Sequence, residues 1–374
     1  MSTEIPLFEI AWDERDIQNV VDSVGRGGYW AKGPYVDEFE ERLESYLDVE
    51  HALVVNSGTT ALVSVLQGAG IGEGDEVIVP SFTFIATANA VRLVGATPVM
   101  ADIERETYGL DPDSVADAVT DDTAAIMPVH VYGQSFDADA LRAVAEANDV
   151  LLIEDAAAAL GATHGDEMAG TLGDAAIFSF CQNKIVATGE GGAVVTDDDD
   201  IARAVELYRS HGRASSDYFQ SAESGEYTSL GTNYRMPDIV AALGCAQMEK
   251  VETLIEGRRR AADALTDGIA GIDGLEPPTE AYGRHVYQLY TVTLDPSLDR
   301  ARLIDDLDER GVASKVYWDP IHRSEQYDHR PGAFPVTEDV AARVLSLPIH
   351  PELSPESVER ILTALEAAVD DQST

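Results

Sequence analysis

The chain has 374 residues, 45% of them hydrophobic, which is enough for two domains and a sizeable core. Its 68 acidic residues against 25 basic ones give a formal net charge of −43, which repels nucleic acid and anionic membrane surfaces. High net charge also accompanies disorder, but the apolar content and clear periodicity favour a folded, halophilic protein whose self-repulsion is screened by salt.

The N-terminal stretch "MSTEIPLFEIAWDERD" lacks a basic region followed by an apolar run, so it does not read as a signal peptide. No stretch approaches the roughly 18 apolar residues of a membrane span. A cytoplasmic protein is expected. Cys181 and Cys245 stand in apolar contexts and suggest two small core residues rather than a disulfide.

From about residue 50 to 200, "HALVVNS", "DEVIVPS", "ATPVMADI", "AAIMPVHVYG" and "VLLIEDA" read as buried strands. Helical stretches such as "TTALVSVLQGAG", "TANAVRLVG" and "DADALRAVAEAND" separate them. This alternation predicts an α/β fold, a largely parallel sheet with helices on both faces. "DAAIFSF" and "GGAVVTD" add two more strands, joined by a tight connection. Residues 213 to 231, rich in Ser, Gly and Glu, read as a mobile loop.

A long helix is expected from Pro237 to about Ala270, with the proline at its first position. It divides the chain into an N-terminal arm and large domain (1–236), a connecting helix (237–270) and a smaller C-terminal α/β domain (271–374). In the last, "HVYQLYTVTL" and "ASKVYW" read as strands. "SPESVERILTALEAAV" reads as an amphipathic helix with Ser354 as N-cap and an apolar stripe of Val358, Ile361, Leu362, Leu365 and Val369.

Three stretches carry chemistry. "NSGTTAL" (56–62) joins a strand to a helix through small residues, a place where backbone N–H groups favour an anion. "GAGIGEG" (68–74) has the glycines of a dinucleotide loop, but they follow a helix and precede a strand, so it is a turn. "LLIEDAAAALGA" ends a strand on Glu154 and Asp155, at the strand end where α/β proteins bind ligands. No His or Cys with metal-ligand spacing accompanies these acids, so no metal is expected. An acid pairing with a protonated ring nitrogen fits better.

The chain contains only four lysines, Lys32, Lys184, Lys250 and Lys315. Lys184, in "FSFCQNKIVATGEGG", follows an apolar strand. Desolvation there lowers the pKa of the amine and makes it nucleophilic, as carbonyl chemistry requires. Lysine for an aldehyde, Asp155 for a ring nitrogen and a helix start for a phosphate together fit pyridoxal phosphate.

"NSGTTAL", "GDEVIVPSFTFIATANAV", "GATPVMADI", "IEDAAAALGA", "FSFCQNK", "TGEGGAVVTD", "SHGR", "NYRMPDIVAALG" and "VLSLPIHP" stand in the order typical of one family. With them the chain resembles the DegT/DnrJ/EryC1/StrS sugar aminotransferases from "IPLFEI" to the last helix, and looks most like their GDP-perosamine synthase type. The resemblance implies a type I aminotransferase fold and a homodimer with shared active sites. It also implies transfer of an amino group, from glutamate, to a nucleotide-linked keto-sugar, a 4-keto-6-deoxy sugar in the perosamine type. Lys184 matches the lysine that bonds the cofactor, and Asp155 the carboxylate at its ring nitrogen. Phe84 matches the aromatic stacked on the ring. Gly58, Thr59 and Ser179 match the phosphate site, and Asn233 an asparagine reaching that phosphate from the partner subunit. Trp30, Lys32, Tyr317 and His322 fall in segments near the nucleotide sugar in relatives. A packed aromatic and a surface histidine are the plain alternatives for Tyr317 and His322.

One position departs from the pattern. Three residues after Asp155 the family carries Gln, His or Glu near the cofactor's hydroxyl, and here stands Ala158. That keeps 3-keto sugars open as the alternative. A dehydrating branch replaces the lysine by histidine, so Lys184 favours transamination. Sugar chemistry without net amination and a non-catalytic regulatory protein on the same fold are the other readings.

Overall fold

The computed structural model describes residues 4–215, 225–327 and 332–373. Residues 216–224 of the expected loop at 213–231 lie outside them. In chain order, helices α1 (Glu14–Gly25) and α2 (Pro34–Leu47) precede strand β1 (His51–Val55), α3 (Gly58–Gly68) and β2 (Glu76–Pro80). Next come α4 (Ala86–Leu93), β3 (Thr97–Ala101), α5 (Pro112–Ala118), β4 (Thr123–Ile126), α6 (Ala138–Asn148) and β5 (Leu151–Asp155). A small hairpin of β6 (Thr163–His164) and β7 (Glu167–Met168) leads to β8 (Ala175–Ser179), β9 (Gly192–Thr196) and α7 (Asp199–Tyr208). The remainder is α8 (Asp238–Met248), α9 (Val251–Ile269), β10 (Leu275–Glu276), β11 (Tyr290–Leu294), α10 (Arg300–Glu309), α11 (Pro335–Arg343), β12 (Val344–Leu347) and α12 (Pro355–Ser373).

Seven strands form the main sheet in the order β1-β9-β8-β5-β4-β2-β3. The pairs among β8, β5, β4, β2 and β3 are parallel, and β9 runs antiparallel to both its neighbours. The parallel sheet expected from the alternation is therefore present with one reversed strand. Apolar side chains from α2, α8 and α9 cover one face, and those from α3, α4 and α7 cover the other. Continuous runs such as "VIV" in β2 are buried on both sides, as such a layered sheet requires.

A second sheet, β10-β11-β12, is antiparallel and packs with α9, α10 and α12 around its own core. The partner of β11 is β12, from "VLSLPIHP", rather than the "ASKVYW" segment. Lys315 exchanges both backbone hydrogen bonds with Ser346 (3.0 and 2.8 Å) and forms only an isolated bridge. The α12 helix starts as expected, with the Ser354 hydroxyl accepting from the Ser357 N–H at 3.2 Å. Val358, Ile361, Leu365 and Val369 are buried.

The expected single helix after Pro237 is two. Pro237 is extended (φ −67°, ψ 144°) and caps α8, and the chain leaves helical geometry at Lys250 (φ −119°, ψ 11°). The Lys250 ammonium turns to Asp13, at 2.9 Å, and Asp16 at the start of α1. Gln247 also reaches Asp16, at 2.8 Å, so the break joins the linking helices to the N-terminal arm. The glycines of "GAGIGEG" make a turn between α3 and β2, with Gly70 and Gly74 at φ +77° and +101°. No helix among the described residues is long and apolar enough to cross a membrane.

Candidate active site

Register brings the ends of β1, β8 and β5 together. Gly192 of β9 pairs with both Val55 and Ser179, and Asp155 pairs with Ile177 of β8. The start of α3 thus lies beside Ser179. A β-carbon on Gly58 would stand 2.8 Å from the Ser179 Cβ and 3.0 Å from its Oγ. One on Gly192 would stand 2.6 Å from the Ser57 carbonyl oxygen and 2.8 Å from the Gly58 nitrogen. Both glycines are required by close approach.

Ser57 caps α3, its hydroxyl accepting from the Thr60 N–H at 3.1 Å, while the Thr60 hydroxyl accepts from Ser57 N–H at 3.1 Å. Thr59 is exposed on this first turn. The cap consumes the Thr60 N–H, and the helix start, Thr59 and the Ser179 hydroxyl form a cradle suited to a phosphate.

Adjacent side chains on a strand point to opposite faces, so Glu154 and Asp155 have different surroundings. Glu154 is fully buried and accepts from the N–H groups of Gly170 (2.8 Å), Leu172 (2.6 Å) and Gly173 (3.0 Å) and from His130 Nε2 (2.7 Å). It is saturated and holds the loop before β8. Among the described residues Asp155 accepts only from the Thr87 hydroxyl at 2.8 Å and the Ala157 N–H at 3.2 Å. Burial raises its pKa, and Thr87, Ala157, Lys184 and His130 oppose that rise.

Lys184 lies five positions beyond the end of β8, in a turn where its N–H donates to the Cys181 carbonyl at 2.9 Å. It is not at the strand end itself. Its half-buried side chain has its pKa lowered by burial, against the opposing charges of Asp155 and Cys181. An amine biased toward its neutral form thus sits within electrostatic reach of a carboxylate, as the chemistry expected of it requires. Cys181 is half-buried in this same turn rather than in the core, whereas Cys245 is buried.

The other expected residues are more dispersed. Phe84 is 56% exposed at the start of the segment that carries Thr87. Asn233 is exposed, while its neighbours Tyr234 and Arg235 bond Asn56 and bridge Val55, at the strand that leads into Gly58. Trp30 is half exposed. Lys32 lies 3.6 Å from Glu206 in a polar cleft of about 370 Å³ whose walls include neither Asp155 nor Lys184. Tyr317 is half-buried and its carbonyl accepts from the Tyr132 hydroxyl.

His322 is not a surface histidine. It is 1% exposed, with Nδ1 2.5 Å from the Ser81 hydroxyl and Nε2 3.3 Å from Glu338. It ties the "PIH" segment to the end of β2, three residues before Phe84. Sequence reasoning missed Thr87, although its position in "SFTFIAT" beside Phe84 was a signal. It also missed the His130–Glu154 pair, for which no local pattern exists.

A model of the DegT/DnrJ/EryC1/StrS aminotransferase family matches residues 12–366. The chain belongs to this family. It is a pyridoxal-phosphate-dependent sugar aminotransferase by that membership. It is 40% identical to a GDP-perosamine synthase of Caulobacter vibrioides, over 89% of this chain and 90% of the relative. It is 34% identical to a dTDP-3-amino-3,4,6-trideoxy-alpha-D-glucose transaminase of Micromonospora megalomicea subsp. nigra, over 97% of each. The solved structure of S. venezuelae DesV in complex with a ketimine intermediate superposes with a TM-score of 0.91 at 34% identity, covering 98% of this chain and 99% of that one. The fold expected from the resemblance, the family and the cofactor are thereby established. The Gly58–Ser179 cradle and the incompletely bonded Asp155 fit that cofactor's phosphate and ring nitrogen.

Proposed function

We propose that this chain transfers the amino group of glutamate to a nucleotide-linked 4-keto-6-deoxy sugar in amino-sugar and surface-glycan biosynthesis. The observation that carries the reading is the buried, under-bonded Asp155 on the strand next to the one that ends at Ser179, where Gly58 closes on the serine. The cofactor supplies an aldehyde and an electron sink for chemistry at the amino acid's α-carbon. Lys184 would hold the cofactor, and its Nζ would move the proton at the amino acid's α-carbon. Asp155 would keep the ring nitrogen protonated, Phe84 would cover the ring, and Gly58, Thr59 and Ser179 would take the phosphate. Trp30, Lys32, Tyr317 and His322 are assigned to the sugar side, His322 by positioning the Phe84 segment rather than by direct contact. Likeness to the GDP-perosamine synthase favours the 4-keto sugar. Ala158 and the likeness to a 3-amino-sugar transaminase support the 3-keto alternative.

The test is a panel of 3-keto and 4-keto nucleotide sugars offered with glutamate and read by mass spectrometry. The expected result is an amino sugar from a 4-keto substrate, with conversion of the cofactor by glutamate alone. Cofactor binding without any amino product would sink the reading and favour a regulatory protein.

The functional unit in this reading is a homodimer, with Asn233 crossing to the partner's phosphate. Its support is the exposed apolar set of Phe84, Trp30 and the α1 stripe of Ile17, Val21 and Val24. A mixed dimer of Lys184→Ala with Asn233→Ala is expected to regain one working site. The charge of −43 supports a protein suited to high salt, so dilute buffer, with a Debye length of about 30 Å at 0.01 M, is expected to loosen the dimer.

A further inference from the structure

Gln288 is 3% exposed, just before β11 in the C-terminal part of the chain. Its Nε2 donates to the Asn183 carbonyl at 2.5 Å, and its Oε1, although buried, has no hydrogen-bond partner among the described residues. Among the described residues the carbonyl before Lys184 is therefore the only hydrogen-bonding partner of this amide. A buried amide with an unmatched acceptor costs stability compared with an apolar residue of the same size. Packing alone does not account for a glutamine here.

The segment around Gln288 is fixed from two sides. The Val286 N–H donates to the Gly133 carbonyl at 2.9 Å, and the Leu289 N–H to Tyr132 at 3.2 Å. A β-carbon on Gly133, at φ +105°, would stand 2.8 Å from the Gln288 nitrogen and 3.1 Å from the Ala158 carbonyl oxygen. Gly133 thus lies between this segment and the turn that follows Asp155, with no room for a side chain. From the other side the buried Arg258 of α9 donates to the carbonyls of Tyr287 (3.2 Å) and Gln288 (3.4 Å).

The bond to Asn183 thus joins a clamped backbone to the peptide that precedes Lys184. We propose that Gln288 is a positioning residue for Lys184, through which the C-terminal part of the chain holds the lysine turn at the distance from Asp155 that the reaction needs. The proposal rests on the aminotransferase reading. It makes a definite claim beyond it: the Lys184 turn is not set by its own sequence and loosens when a single distant amide is removed. A misplacement of about 1 Å at such a group lowers rates by about 100-fold.

The test compares wild type with Gln288→Met, which keeps length and removes both polar atoms, and Gln288→Glu, whose carboxylate accepts but does not donate at neutral pH. Amide hydrogen exchange of residues 181–187 is followed first in the cofactor-free protein. The expected result is exchange about tenfold faster in both variants, with protection elsewhere in the main sheet unchanged. In the cofactor-loaded proteins, the pH midpoint of the visible absorbance of lysine-bound cofactor is expected to shift, and kcat for the glutamate half-reaction to fall more than KM rises. Acidification is expected to restore protection in Gln288→Glu, where the protonated acid donates to Asn183, and not in Gln288→Met. Unchanged exchange at 181–187 and an unchanged spectral midpoint in a folded variant would overturn the proposal. If wild type itself develops no lysine-bound absorbance, the enzymatic reading fails while the exchange experiment still decides whether Gln288 holds the turn.

Discussion

The two faces at the end of β5 hold one carboxylate each, one residue apart, and they differ in everything but burial. On one face Glu154 is matched by three backbone N–H groups and His130, with no capacity left over. On the other, Asp155 has one hydroxyl and one N–H, with a lysine nearby and burial raising its pKa. Burial alone does not mark a functional acid. Incomplete hydrogen bonding does, because a buried charge left under-bonded costs stability unless a ligand completes it.

Four substitutions sharpen or break this contrast. Lys184→Ala is expected to abolish both turnover and the visible absorbance of lysine-bound cofactor while leaving the fold intact. Borohydride trapping followed by peptide mapping checks it, and a cofactor trapped on Lys250 or Lys315 would count against Lys184.

Asp155→Asn is expected to lower turnover by at least about 100-fold, the scale of losing one preorganised electrostatic group. It carries a pH signature as well. A carboxyl whose folded pKa is raised contributes stability below its unfolded value and loses it as pH rises through the folded value. In cofactor-free protein the Asn variant should therefore gain thermal stability over wild type as pH climbs out of the carboxylate range. Calorimetry at several pH values reads this, and a gap that narrows with pH would reverse the assignment of Asp155.

Glu154→Gln puts an NH2 group where one carboxylate oxygen accepts from two donors and sets it against both. Each buried donor left unsatisfied costs about 1–3 kcal/mol. The expected outcome is a large fall in thermal midpoint, with turnover per folded molecule changed by only several-fold. Loss of turnover without loss of stability would show that the two faces share the chemistry.

Thr87→Val removes the hydroxyl from Asp155 and keeps the shape. A hydrogen bond to a charged group contributes about 1.5–3 kcal/mol, so Asp155 should become harder to ionise and turnover should fall by about tenfold. The acid limb of the rate profile should move to higher pH. A fixed limb would mean that Asp155 is not the group titrating there.

Much of this architecture was legible in the chain. Alternating buried strands and helices fixed a layered, largely parallel sheet, because a strand covered on both faces must be apolar throughout. The α12 start followed from Ser354 and Pro355, since capping is a contact within one turn. The pairing of a lysine, a strand-end acid and a small-residue helix start came from local spacing; in the structure Gly58 stands against Ser179, and Lys184 and Asp155 lie within electrostatic influence of each other.

What stayed hidden depended on partners far along the chain. A period of two says that Glu154 and Asp155 face opposite ways, but only the loop at 170–173 and Thr87 decide which one is saturated. The burial of His322 depends on Ser81, the break at Lys250 on Asp13 and Asp16, and the place of β12 on β11. Gln288 looks like an ordinary polar residue ahead of a strand until its amide meets the carbonyl before Lys184, 105 residues away in sequence. Local periodicity and capping belong to the sequence. Hydrogen-bond saturation of buried groups belongs to the tertiary structure, because the groups that supply it are neighbours only after the sheet has formed.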